Sequence, residues 1–285
     1  VSGGNLTSSV DATLGTVASS GSVTLLGANN SIQTLQQGTL VLGSTSRLSV
    51  TQGSASVDIL GGGTLVKVGA GTKLSVDRAP SPAVNVEVAA GTLAVADLFG
   101  GSRSINVAAT ANLEVLLGSD ALYAGTLSGT GKTLVASDLQ KTLSLGGTGL
   151  LDGTLTFSAT NLNLSIPNTN VFGDYAQLNF VGAGTLFLGD TNQEVWLQQM
   201  DVARSGAFLT VKGTGAKILY EERPWFLTEE NVLTAEGAAA VSISGVTFDI
   251  LTKGGSIAFS GGSYQYTAGR VRNRDGSPVT GTVLM

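Results

Sequence analysis

Between Gly38 and Val95 one short pattern is written seven times: Gly38-Thr-Leu-Val-Leu42, Ser46-Arg-Leu-Ser-Val50, Ala55-Ser-Val-Asp-Ile59, Gly63-Thr-Leu-Val-Lys-Val68, Thr72-Lys-Leu-Ser-Val76, Ala83-Val-Asn-Val-Glu-Val88 and Gly91-Thr-Leu-Ala-Val95. Most members alternate with a period of two. Leu48/Val50, Val57/Ile59, Leu74/Val76 and Val84/Val86/Val88 fall on one face, and Ser49, Asp58, Ser75, Asn85 and Glu87 fall on the other. That spacing is the signature of a half-buried strand. Gly, Ser, Thr, Asn and Pro stand between the segments, where a chain turns at little cost.

The tripeptide Gly-Thr-Leu starts at Gly38, Gly63, Gly91, Gly125, Gly153 and Gly184. Its first two separations are 25 (63 − 38) and 28 (91 − 63) residues, room for three strands each. The motif is therefore expected to return to the same corner after one circuit. A circuit of three short strands stacked on the next is a parallel β-helix, with coils about 4.8 Å apart and an apolar column inside. Glycine suits such a corner because it accepts positive φ and lets the neighbouring coil approach. An antiparallel sandwich also has short, evenly spaced strands, but two-residue hairpin signals are nearly absent and a sandwich gives Gly-Thr-Leu no reason to recur. The fold class expected is all-β, a parallel β-helix (β-solenoid) with about three short strands per coil and an irregular C-terminal part. In Gly63-Thr-Leu-Val-Lys-Val68, Leu65 and Lys67 share a face, which calls for a bulge or turns Leu65 outward.

Composition narrows the chemistry. The 285 residues include 40 Gly, about twice ordinary usage, and only 12% charged residues, about half of it. A hydrophobic content of 42% argues against disorder, so the glycines punctuate structure. With no Cys and no His, the chain has no disulfide, no Cys/His zinc site, no Cys nucleophile and no His acid–base pair. A net charge of −5 disfavours nucleic acid as a partner, and no run of eighteen apolar residues marks a membrane span. The chain opens at Val1 without a charged or apolar leader, as after removal of a leader or trimming.

Three regions are expected along the chain: a solenoid over 1–189, an irregular continuation over 190–268 with an inserted loop at 220–231, and a C-terminal hairpin or capping segment over 269–285. The first thirty-odd residues read as a less regular terminal turn. Aromatic residues are scarce before Phe157 and frequent after it, which suggests a wider or capped second half. Tyr220 to Asn231 breaks the strand rhythm and reads as a loop or short helix, with Thr228 as N-cap. Asp275-Gly276 is a hairpin signal.

Gly38-Thr-Leu-Val-Leu-Gly43, Gly91-Thr-Leu-Ala-Val95 and Gly125-Thr-Leu-Ser-Gly-Thr-Gly131, together with the low charge and the missing Cys, resemble the β-helical passenger regions of bacterial autotransporters and related secreted adhesins. The resemblance is compositional and covers about Gly21 to Phe187. It implies a secreted or cell-surface adhesin. The family's membrane barrel has no counterpart here, and phage tail spikes and fibres share the architecture.

Several groups invite a functional assignment. Gly125 to Thr133 ends in Gly131-Lys132-Thr133, as a phosphate loop does, but Thr126 stands where that loop needs Gly and a strand pattern follows. Asp201, Arg204 and Lys212 carry the charges of a β-helical polysaccharide lyase, without supporting spacing. Glu221, Glu222, Glu229 and Glu230 flank Trp225 and Phe226, an acidic loop with an exposed aromatic platform. Trp196 suits the core equally well. Arg270, Arg272 and Arg274 alternate and so share one strand face. Acidic loop and basic strand are the expected interface, joining parts of one molecule or one molecule to the next. Neither cofactor nor catalytic residue is indicated. The function expected is an extracellular structural or adhesive β-solenoid whose partner is itself, as a homo-oligomer or filament, with a surface glycan as a further ligand. A virion fibre and a carbohydrate-active β-helix are the competing classes.

Overall fold

A computed structural model describes residues 4–137, 141–151, 153–159, 162–165, 177–180, 183–187, 194–197, 199–202, 208–220, 231–236, 240–250, 256–260, 263–268 and 271–273. Every strand pair whose register is defined there is parallel, and the described residues contain no helix. The chain forms two compact units, Val1–Leu134 and Val135–Met285. In each unit the described strands stack as coils of a parallel β-helix with three strand-bearing faces.

In the first unit the faces can be followed by their inward positions. One face stacks Asn30, Leu48, Leu65, Val86, Ile105 and Leu127 on successive coils. A second stacks Val17, Leu35, Gly53, Leu74, Leu93 and Leu113. The third stacks Leu6, Val23, Leu40 and Ile59. Leu48, Leu65, Leu74, Leu93, Ile105, Leu113 and Leu127 are all fully buried. Burying each such side chain contributes about 1.5–3 kcal/mol, and in a solenoid this is the main term holding coil on coil. Outside, short polar side chains tie neighbouring coils: Ser31 donates to Thr13 Oγ1 at 3.2 Å, and Asn106 Nδ2 donates to Ser128 Oγ at 2.9 Å.

The coil is shorter than the Gly-Thr-Leu spacing. Leu48 and Leu65 are adjacent partners 17 residues apart (65 − 48), and Ile105 and Leu127 are 22 apart (127 − 105). An interval of 25 or 28 residues is thus one circuit and roughly one face more. Leu40 accordingly lies on the third face, Leu65 on the first, Leu93 on the second and Leu127 on the first. The motif does not return to one corner, contrary to the sequence expectation.

Its recurrence has a local cause. The Thr amide of the motif donates to a carbonyl of the preceding coil: Thr64 to Ser46, Thr92 to Thr72 and Thr126 to Arg103. That same carbonyl lies against the motif's glycine, and a Cβ on Gly63 would sit 2.4 Å from Ser46 O. The demand is the same at Gly63, Gly91 and Gly125, although their strands open different faces.

Pairing begins at Leu6, opposite Val23, and strand Thr13–Leu25 carries two register shifts, in keeping with the less regular first turn read from the sequence. One further expectation changes. Strand Thr64–Lys67 has no bulge and Leu65 is not outward: both Leu65 and Lys67 are buried, the lysine included. A lysine tolerates that place because its amine reaches past the apolar column to oxygen atoms at the corner.

In the second unit one face carries Leu155, Leu178, Met200, Leu233 and Ile257 in register. Another carries Leu143, Leu164, Leu186, Val211, Ile243 and Tyr266. A third carries Val195, Ile218, Phe248 and Val271. The circuit is 22 residues from Leu178 to Met200 (200 − 178) and 33 from Met200 to Leu233 (233 − 200), the interval that contains 221–230. Positions 188–193, where the sequence places the end of the regular solenoid, lie outside the described residues, as do 221–230 with Thr228 and 274–285 with Asp275-Gly276.

Candidate functional site

Most of the expected interface lies outside the described residues: Glu221, Glu222, Trp225, Phe226, Glu229, Glu230, Arg270 and Arg274. Arg272 is described, in strand Val271–Asn273, and its register partner on the adjoining coil is Asp249. Trp196 is in register with Leu219. Of the lyase-like residues, Asp201 belongs to strand Gln199–Val202 and Lys212 to strand Phe208–Tyr220 of a different sheet, and Arg204 is outside the described residues.

The phosphate-loop resemblance ends in ordinary coil. Thr126–Gly129 and Lys132–Ser137 are strands, Lys132 is exposed, and Thr133 is 1% exposed on the inward side. Gly131 packs at a corner, where a Cβ would meet Ala108 O at 2.3 Å. A phosphate loop needs its lysine and threonine at a helix start, and neither condition holds here. Among the described residues no three of Asp, Glu, His or Cys gather closely enough to hold a metal ion, and no helix is long and apolar enough to cross a membrane.

The first unit instead concentrates its unusual chemistry on two buried cations. Lys67 takes the place of an aliphatic residue in the column Ile32, Val50, Lys67, Val88, Val107. Its Nζ donates to Val68 O at 2.5 Å, Thr72 Oγ1 at 2.9 Å, Ala90 O at 3.2 Å and Gly69 O at 3.3 Å. None of these oxygens carries a formal charge. Burial pulls the ammonium below the ordinary lysine range. Thr72 Oγ1 also lies 2.7 Å from both Thr51 O and Gly69 O, so the hydroxyl is fixed from three sides.

Arg103, 3% exposed, is the second. Its Nη2 donates to Pro80 O at 2.9 Å and its Nε to Gly100 O at 3.4 Å, and no partner meets Nη1. Burial pulls its pKa below the usual guanidinium value, because desolvation disfavours the charged form. Tyr123, 1% exposed, places its hydroxyl 2.9 Å from Arg103 O and 2.8 Å from Thr126 O, and packs edge-on against Phe99 at 5.5 Å. Sequence periodicity missed this cluster. Its one cue is that Tyr123 follows Arg103 by 20 residues, one coil.

Burial holds the Tyr123 phenol well above the usual tyrosine range, with the Arg103 charge acting in the opposite sense. The folded state therefore keeps a proton that the unfolded state releases near pH 10, and stability falls as pH rises beyond that point. The expected slope from this one group is about 1.4 kcal/mol per pH unit above pH 10. Urea titrations at pH 9, 10 and 11 should show it, and Tyr123→Phe should flatten it.

On the outside of the first unit's coils, charge pairs cross from coil to coil in a repeated way. Arg47 Nη2 meets Glu87 Oε2 at 2.9 Å, over the intervening coil that carries Thr64 and Val66. Lys73 Nζ meets Glu114 Oε2 at 2.6 Å over the coil carrying Thr92 and Ala94. Both pairs join coil n to coil n+2. Val66 is 2% exposed although it faces outward, which the Arg47–Glu87 pair above it accounts for. Arg78 and Asp58 pair at 2.8 Å between adjacent coils. Exposed pairs contribute little, so Glu87→Gln and Glu114→Gln should each cost less than about 1 kcal/mol, a loss that 1 M salt removes.

At the ends of the described structure, strands have a β-neighbour on one side. Leu6–Ser8 pairs with Val23–Leu25. Ser256–Ser260, Ser263–Ala268 and Val271–Asn273 each pair with the preceding coil. Comparison with protein-family models, curated proteins and solved structures found no match.

Proposed function

We propose that this chain is an extracellular structural or adhesive β-solenoid that assembles with copies of itself through its end coils. The observation that supports this most is that, among the described residues, Leu6–Ser8 in the first unit and Ser256–Ser260, Ser263–Ala268 and Val271–Asn273 in the second pair on one side. A strand edge carries unpaired N–H and C=O groups, which natural proteins cover, blunt with charge, or use. The first coils hold little to repel a partner: Asp11 is the one charged residue before Arg47. The short polar side chains on the outer faces suit a passive shaft, or one that offers hydroxyls and amides to a surface glycan.

Negative-stain microscopy and sedimentation of the purified protein, across salt and calcium concentrations, test the proposal. Rods or sheets growing with protein concentration are expected. Monodisperse monomers under every condition would refute it.

A further inference from the structure

We propose that the corner formed by Val68, Gly69, Thr72 and Ala90 is a binding site for a monovalent cation, which this chain fills with its own Lys67 ammonium. Three backbone carbonyls and one hydroxyl converge on Nζ at 2.5 to 3.3 Å. Rings of carbonyl oxygens replace the hydration shell of potassium-like ions, whereas calcium and magnesium sites are built around carboxylates. No carboxylate touches Nζ, so the donor set suits a single positive charge.

The cage is shaped before the amine arrives. Gly69 has φ +88°, and a Cβ there would come within 2.8 Å of Thr51 Cγ2 and Thr72 Oγ1. Gly91, at φ +74°, closes the other side, where a Cβ would lie 2.7 Å from Nζ itself. Both positions keep oxygen, not carbon, next to the charge. Ala90 belongs to the following coil, so the cation links one turn to the next, and Val50 and Val88 are the register neighbours of Lys67 on the coils to either side. The ammonium is covalently tethered, so competing salt should not displace it.

The test uses the full chain with Lys67→Ala, which empties the cage, and Lys67→Met, which fills the same path with an uncharged side chain. Thermal midpoints are compared in choline, potassium and n-propylammonium chloride at equal ionic strength. For Lys67→Ala, potassium or n-propylammonium should raise the midpoint saturably by about 3 °C or more over choline. Neither ion should distinguish the salts for the wild type or for Lys67→Met. Equal midpoints for Lys67→Ala in all three salts would overturn the proposal. Should that variant not fold, ¹⁵N spectra of lysine ammonium groups in the wild type decide. One of the seven lysines should show an ammonium signal in slow exchange with water at neutral pH. Uniformly fast exchange for all seven would overturn the site.

Discussion

Gly91→Ala is expected to destabilise the first unit by about 2–5 kcal/mol, far more than its single methyl group suggests. Gly91 has φ +74°, and the added Cβ would stand 2.4 Å from Gly69 O, 2.5 Å from Thr72 O and 2.7 Å from Lys67 Nζ. The left-handed backbone alone costs an L-residue about 1–2 kcal/mol, and forcing volume into a packed place costs about 1–3 more. Relief by movement is blocked, because Thr72 O is the acceptor for Thr92 N at 2.9 Å. Gly71→Ala separates the two contributions. Gly71 also has positive φ, +71°, yet a Cβ there meets nothing within 4 Å. Its substitution should cost the backbone part only, about 1–2 kcal/mol. Urea unfolding of both variants checks the difference, and equal losses would mean that coil-to-coil approach at Gly91 is not close.

Leu65→Ala should cost about 3–5 kcal/mol. Leu65 is fully buried between Leu48 of one neighbouring coil and Val86 of the other. A truncated residue in the middle of a stack leaves a cavity that rigid coils on both sides do not collapse to fill. Thr64, one position earlier, points outward and is half-buried. Thr64→Ala should stay within about 0.5 kcal/mol. Losses of similar size at the two positions would contradict the alternation on which the inward column rests.

Strand parity was the most legible feature of the chain. Leu48, Val50, Val57, Ile59, Leu74, Val76, Val84, Val86 and Val88 are all buried, as period-two alternation predicts. Alternation is set by the geometry of a single strand, so a short stretch contains all the information needed. The length of the circuit is not local in this way. At Gly63, Gly91 and Gly125 the Gly-Thr-Leu motif places a glycine against a carbonyl of the preceding coil, a demand that arises on more than one face, and so it miscounts the coil. Lys67 defied the pattern because parity reports direction and not solvent. What makes the inward lysine tolerable is the Gly-Ala-Gly-Thr corner that follows at 69–72, whose oxygens receive the amine. Arg103 and Tyr123 were hidden for a related reason: their contact joins adjacent coils and leaves no periodic trace in either segment. The polar residues expected at the interface, from Glu221 to Glu230 and around Arg272, come from segments where alternation gives way to charge, and charge alone does not state what it faces.

Methyl-to-methyl NOE measurement on the leucine, valine and isoleucine groups of the wild-type chain tests the coil stack most directly. Leu65 should show contacts to Leu48 and to Val86, and Val86 in turn to Ile105, a ladder stepping 17, 21 and 19 residues (65 − 48, 86 − 65, 105 − 86) along the chain. Contacts from Leu65 to Leu74 in antiparallel order, with Leu48 and Val86 remote from it, would contradict the solenoid and everything built on it.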